Sequence, residues 1–391
     1  MWPIIQNILQ EVLRARSLSR PALSERLGIG VEELDRELKR EPEPRQGILN
    51  EIATELALPP FVFYMKVPPP LDDVIPDFRS ARPGPTPNAK ATTESIQFAA
   101  AVQRTAEQLD VPAASKLPTF DVAGRDQIEN FALSVRTFFG VSLQDQAEAR
   151  DTKAFFNHCR KKIEDRGIFV LQDSFPETDG SGFCLAHPRY PLIVINTKQQ
   201  TRGRRLFTLI HELAHVLMGQ SGISDPFIRK NAIETRCNQF ASSFLVPMPY
   251  LGLLLKNTAP PADPDIDDVA RIARRLKMSQ QATIIRLEEL RLVRSGSHER
   301  WLVAIHNTGN PDYSERGGGG AGGPPPQEKV KLAKYGFHFA ASFDAPLRQG
   351  RISEINLYRA TGLKPKYQRE YFDFAKSISN IELENLDLDD V

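Results

Sequence analysis

The chain has 391 residues, 41% apolar and 25% charged, with 50 basic against 49 acidic side chains for a formal charge of +1. That mixture can bury substantial cores and excludes wholesale disorder, and the length points to two or three domains. Three cysteines without a CxxC pair exclude a disulfide framework, and the balanced total charge argues neither for nor against nucleic acid.

The opening MWPIIQNILQEVLRARSLSR has apolar residues at helical spacing with Glu11 among them, not the basic flank and continuous apolar stretch of a signal peptide. No run of 18 apolar residues offers a membrane span, so a reducing cytoplasm is the expected location. Helical periodicity over 4–16, 20–27, 31–39 and 46–57 predicts a bundle over 1–66. Within it, SRPALSERLGIGVEELDREL has the form helix, tight turn, helix, as in DNA readers. Charge weighs against that use. Residues 1–50 hold eight basic and eight acidic side chains, and the second helix carries Glu32, Glu33, Asp35 and Glu37, which phosphates would repel. A bundle that binds protein or nothing is preferred, with DNA binding through 1–66 left open.

Proline and glycine then divide the chain. The cluster at 59–87 predicts a linker over 67–90, and GGGGAGGPPP at 317–326 a second over 296–327. Between them lies a domain over 91–295, and after them a helical region over 328–391 whose acidic end, 382–391, reads as a solvated tail. In the middle domain, residues 167–174, 182–187 and 191–197 read as short strands of a small antiparallel sheet. Its edge could take up an extended peptide. His187 and Tyr190, before the last strand, read as turn residues in preference to oxyanion donors. The expected class is α+β: a mostly helical multidomain chain with a small antiparallel sheet.

The strongest signal is His211-Glu212-Leu213-Ala214-His215, inside the apolar helix RRLFTLIHELAHVLMGQ. Positions i and i+4 share a helix face, so both imidazoles can reach one ion. With seven histidines in the chain, a second histidine and a glutamate at these offsets make a poor accident. Glu212 sits one step round, placed to act on water without being a ligand. Catalytic zinc needs a third protein ligand. Glu234 is the only acid over 226–247, on the next long helix, and is preferred; Cys237 competes. Asn238, one turn on from Glu234, can hydrogen-bond a ligand from behind. One Zn2+ per chain, held by His211, His215 and Glu234, with Glu212 as base, implies hydrolysis of a peptide bond without a covalent intermediate.

HELAH, followed by ETRCNQFASSFLVP, resembles the ImmA/IrrE metallopeptidase family. The resemblance implies a zincin-like metallopeptidase core with His211, His215 and Glu234 as ligands and Glu212 as catalytic residue. The first module, with PPFVFYM and IPDFR, resembles the XRE-type helix-turn-helix of longer members, and residues 269–293 and 335–367 resemble later family segments. Membership implies cleavage of a specific protein partner, a repressor or a toxin–antitoxin component. The alternative it leaves is an antitoxin-like or transcriptional binding protein in which proteolysis is secondary.

Overall fold

A computed structural model describes residues 2–378 apart from 42, 66, 68–70, 72–74, 79–86, 199, 225–231, 256–258 and 308–324. Most of the glycine-rich run and all of the acidic end lie outside the described residues. Helices α1 (Trp2–Ala15), α2 (Arg20–Leu27), α3 (Val31–Leu38) and α4 (Gln46–Glu55) pack Ile8, Val12, Leu23, Leu34 and Ile52 into one core, joined by Phe63 of the 3-10 turn Pro60–Tyr64. The Ser19 hydroxyl caps α2 by accepting from Ala22 N–H, and Gly28 closes it at φ +69°. Acidic α3 finds its counter-charges inside the bundle, with Arg20 2.7 Å from Asp35 and Arg45 2.5 Å from Glu37.

Four helices, α5 (Lys90–Gln108), α6 (Arg125–Phe139), α7 (Leu143–Glu148) and α8 (Thr152–Glu164), precede strands β1 (Phe169–Asp173), β2 (Gly182–Leu185) and β3 (Leu192–Asn196). Helix α9 (Arg202–Met218), strand β4 (Gly222–Ser224) and helix α10 (Ala232–Leu245) follow. The sheet order is β1-β3-β2-β4. β2 runs antiparallel to β3 and β4, but β1 and β3 are parallel, so the sheet is mixed where an antiparallel one was expected. The reason is topological. β3 turns back from β2 and inserts between it and β1, which gives it the direction of β1.

Both faces of this sheet are covered. Leu192 and Val194 of β3 join a core with α5, while Ile193 and Ile195 join one with α6, α8, α9 and α10. Cover on both sides explains why residues 192–195 of β3 read as an unbroken apolar run. Beyond α10 come α11 (Leu251–Leu254), α12 (Ile266–Leu276), α13 (Gln280–Glu289) and α14 (Ser297–Asn307). α14 lies inside the stretch expected to be linker; buried Trp301 packs it onto the α9–α10 core.

The last helices, α15 (Gln327–Arg348), α16 (Glu354–Thr361) and α17 (Pro365–Ile378), complete the α5 side of the sheet. Phe343 of α15 stands 6.2 Å from Phe169 of β1, ring to ring. Helix α15 is kinked at Gly336, φ +81°. The kink frees backbone groups that α8 satisfies: Phe337 N–H donates to Glu164 (3.0 Å), and Arg160 donates to the Ala333 carbonyl (2.7 Å). Burial pushes the Glu164 carboxyl up to about 7, against the pull of Arg160. A Cβ at position 336 would overlap the Glu164 carboxylate in a backbone conformation that side chains resist. Gly336→Ala should therefore cost about 3 kcal/mol of stability, read as a lower urea midpoint; an unchanged midpoint would refute this account of the kink.

Candidate metal centre

Thr201 starts α9 by accepting from Arg204 N–H (3.3 Å), and Gly219 ends it in the left-handed conformation. Between them Leu206, Leu209, Ile210, Leu213 and Leu217 are buried, so the helix runs through the core and carries its polar side chains inward with it. His211 and His215 present their Nε2 atoms 3.2 Å apart. Helix α10 packs alongside and brings in Glu234, with Oε2 3.2 Å from His211 Nε2 and Oε1 3.1 Å from His215 Nε2. All three side chains are fully buried.

Zinc bonds of about 2.0–2.1 Å at a tetrahedral angle set neighbouring donors about 3.3 Å apart. The three separations are close to that spacing, with the carboxylate meeting His211 through Oε2 and His215 through Oε1. The hydrogen-bonding pattern agrees. Asn238 Oδ1 lies 3.0 Å from His211 Nδ1 and accepts a hydrogen bond from its N–H, so a neutral His211 turns a bare Nε2 lone pair toward the Glu234 carboxylate and His215. Electron-rich atoms gathered so closely in a dry interior suit a cation.

The electrostatics follow from the same crowding. Burial works to lower His211, but Glu234, by charge and hydrogen bond, and then Glu212 hold it above the usual histidine value. His215 falls below it, with burial the main cause. Burial works to raise Glu234, and the two histidines overcome it, holding the carboxylate below its usual range. Cys237 is the other donor in reach: its Sγ and the two imidazole ligand atoms all lie within 4.8 Å of one another. Burial, then Glu234 and Glu212, pushes that thiol well above its ordinary value.

Glu212 lies beside this trio, fully buried. Its Oε1 accepts from the Ser224 hydroxyl of β4, and its Oε2 has no hydrogen-bond partner among the described residues. Burial pushes Glu212 up to about 8, with His211 and the Ser224 hydroxyl pulling the other way. On the far side of the site, the Phe78 ring stacks on His215, centroids 4.8 Å apart and planes within 15°.

The structure thus brings His211, Glu212, His215, Glu234 and Asn238 together, with Cys237 close by. His187 and Tyr190 are elsewhere: His187 Nδ1 accepts from the backbone of Arg189 (3.2 Å) and Tyr190 (3.1 Å), which closes a turn. His338 packs against Phe169, its pKa lowered by burial to about 4. Sequence reasoning missed Ser224 and Phe78. Ser224 sits on a three-residue strand too short to leave a pattern, and Phe78 is distant in the chain.

Residues 163–288 match the family model of peptidase M78, described as the IrrE N-terminal-like domain. The match spans the sheet, α9 and α10 and takes in every residue of this centre apart from Phe78. The chain carries an ImmA/IrrE-family peptidase domain. A comparison with curated proteins gives no match. Membership makes the domain a metallopeptidase, and the observed donors fit the metal that such a domain needs. The α15–α17 layer, which covers one face of the peptidase sheet, lies beyond the matched residues.

Proposed function

We propose that this protein is a zinc-dependent endopeptidase that cleaves a specific regulator, a repressor or antitoxin-like protein, in the cytoplasm. The observation that carries the reading is the convergence of His211, His215 and Glu234 at 3.1–3.2 Å from one another, with the carboxylate of Glu212 beside them. His211, His215 and Glu234 would hold the ion, and zinc supplies Lewis acidity there, acidifying water and polarising a carbonyl. Glu212 does the proton work. Ser224 holds Oε1, which orients the carboxylate and leaves Oε2 to take a proton from water and return it to the departing amine. Asn238 fixes the His211 tautomer from behind.

Narrow specificity fits a site whose side chains are fully buried. The same closure favours a second reading, an antitoxin-like or transcriptional binding protein in which proteolysis is secondary. The experiment incubates the zinc-loaded protein with the product of a neighbouring regulator gene and maps fragments by mass spectrometry. A discrete cut, with casein largely spared, supports the peptidase. Stoichiometric binding without a cut supports the second reading. No described helix is long and apolar enough to cross a membrane.

DNA binding belongs to this proposal as a weak activity of residues 1–66. With Arg20, Arg26 and Arg45 paired to carboxylates of the same bundle, part of its positive charge is already neutralised before any phosphate arrives. Mobility-shift titration of the full chain on its own promoter should show weak, steeply salt-dependent binding. Tight sequence-specific binding at physiological salt would show that the bundle presents cations in another arrangement.

A further inference from the structure

β4 is the edge strand nearest the metal centre, and its edge is taken by the chain itself. Ser224 and Gly222 lie opposite Gly182 and Cys184 of β2, which leaves the backbone groups of Ile223 facing outward. Both are bonded to the segment that follows the N-terminal bundle. Ile223 N–H donates to the Pro76 carbonyl (2.8 Å), and Phe78 N–H donates to the Ile223 carbonyl (2.9 Å), so Asp77 bridges Ile223 as a short parallel strand. The same segment delivers the Phe78 ring onto His215. Ile75, Asp77 and Phe78 are buried. Gly222 permits this approach, because a Cβ there would overlap the Phe78 ring.

An extended peptide binds a sheet edge through the two outward backbone groups of alternate residues and through pockets for alternate side chains. Residues 75–78 use both features. We propose that Ile75–Phe78 is an internal competitor of substrate: it holds the outward edge of β4, where the peptidase reading lays a substrate's main chain, and its Phe78 ring fills a place against His215 that is a subsite for an aromatic side chain. The proposal rests on the peptidase reading of the same centre and adds its substrate class: a partner that presents an extended segment with an aromatic residue. Substrate must displace residues 75–78, so apparent affinity scales with the fraction of molecules in which they have left the edge. The competitor is continuous in sequence with the bundle over 1–66, and a partner bound there can shift this equilibrium only if it favours the displaced state.

The test uses the full-length, zinc-loaded protein and two variants. Phe78→Ala removes the ring, and Gly222→Ala leaves it in the chain but denies it its place. Two measurements are made: the rate at which excess chelator strips zinc, and the binding of a labelled peptide with the sequence of residues 74–79, VIPDFR, by anisotropy. Both variants should lose zinc on the order of tenfold faster than wild type; Phe78→Ala should bind the peptide measurably tighter, whereas Gly222→Ala should bind it no tighter, because the added Cβ blocks the peptide's Phe as it blocks Phe78. If one variant fails to fold by circular dichroism, the other decides. Equal zinc release and equal peptide binding in wild type and the folded variants would overturn the proposal, even if wild type cuts its regulator. Faster release, and tighter binding by Phe78→Ala, with no cleavage by any protein, would uphold the internal competitor and overturn the peptidase reading instead.

Discussion

Glu212→Gln should keep its zinc and lose peptidase turnover by on the order of a thousandfold, the usual worth of a positioned general base. The substitution is nearly isosteric. The amide oxygen can still accept from the Ser224 hydroxyl, so the fold around β4 should hold. It lacks only the ability to take a proton. Glu212 is also outside the converging trio of donors, so its loss should leave metal content unchanged. The check pairs metal analysis with cleavage of the regulator. Undiminished cleavage by Glu212→Gln would remove Glu212 from the chemistry, and loss of zinc would make it a ligand.

Glu234→Ala and Cys237→Ser should separate the two candidates for third ligand. The Glu234 carboxylate touches both Nε2 atoms at 3.1–3.2 Å and is held in its charged form by the two histidines. The Cys237 thiol is held protonated by burial and by two neighbouring carboxylates, and it packs in the core with Phe240 and Ala241. Glu234→Ala should therefore weaken zinc binding by well over the roughly 10–100-fold typical of losing a hydrogen-bonding partner such as Asn238. Cys237→Ser should keep the metal and lose stability by about 1–2 kcal/mol, because a hydroxyl replaces a thiol in an apolar setting. Titration with a fluorescent zinc competitor reads the first effect, and urea denaturation the second. The opposite outcome, zinc lost in Cys237→Ser and kept in Glu234→Ala, would make the thiolate the third ligand.

Local chemistry made much of this site readable before any fold was known. A helix repeats every 3.6 residues whatever surrounds it, so the spacing of His211 and His215 placed two imidazoles on one face. The apolar residues between them put that face in a core, and Glu234 stood out as the lone acid of an amphipathic stretch that had to pack nearby. The helices over residues 2–55 were legible from local signals too: apolar spacing in α1 and α3, and the caps Ser19 and Gly28 around α2. Contacts made by distant segments leave no such trace. Ser224 is one polar residue on a strand of three, and only the pairing of β4 with β2 aims its hydroxyl at Glu212.

The parallel pairing of β1 with β3 was likewise hidden, because alternation along a strand records which face is buried and not the direction of its neighbour. Proline and glycine content marked 59–87 and 296–327 as breaks between modules. Yet Ile75–Phe78 completes a sheet edge, and Trp301 anchors a helix in the second stretch. Helices α15–α17, well over a hundred residues beyond β3 in the chain, supply one of the two layers that cover it. The sequence alone determined the chemistry of the donors, their helical spacing and the amphipathic segments, since each depends on neighbours within about two turns. Sheet order, the covering layer and the approach of Phe78 to His215 were decided only by the tertiary structure, because they depend on which of many apolar surfaces meet once the chain has closed on itself.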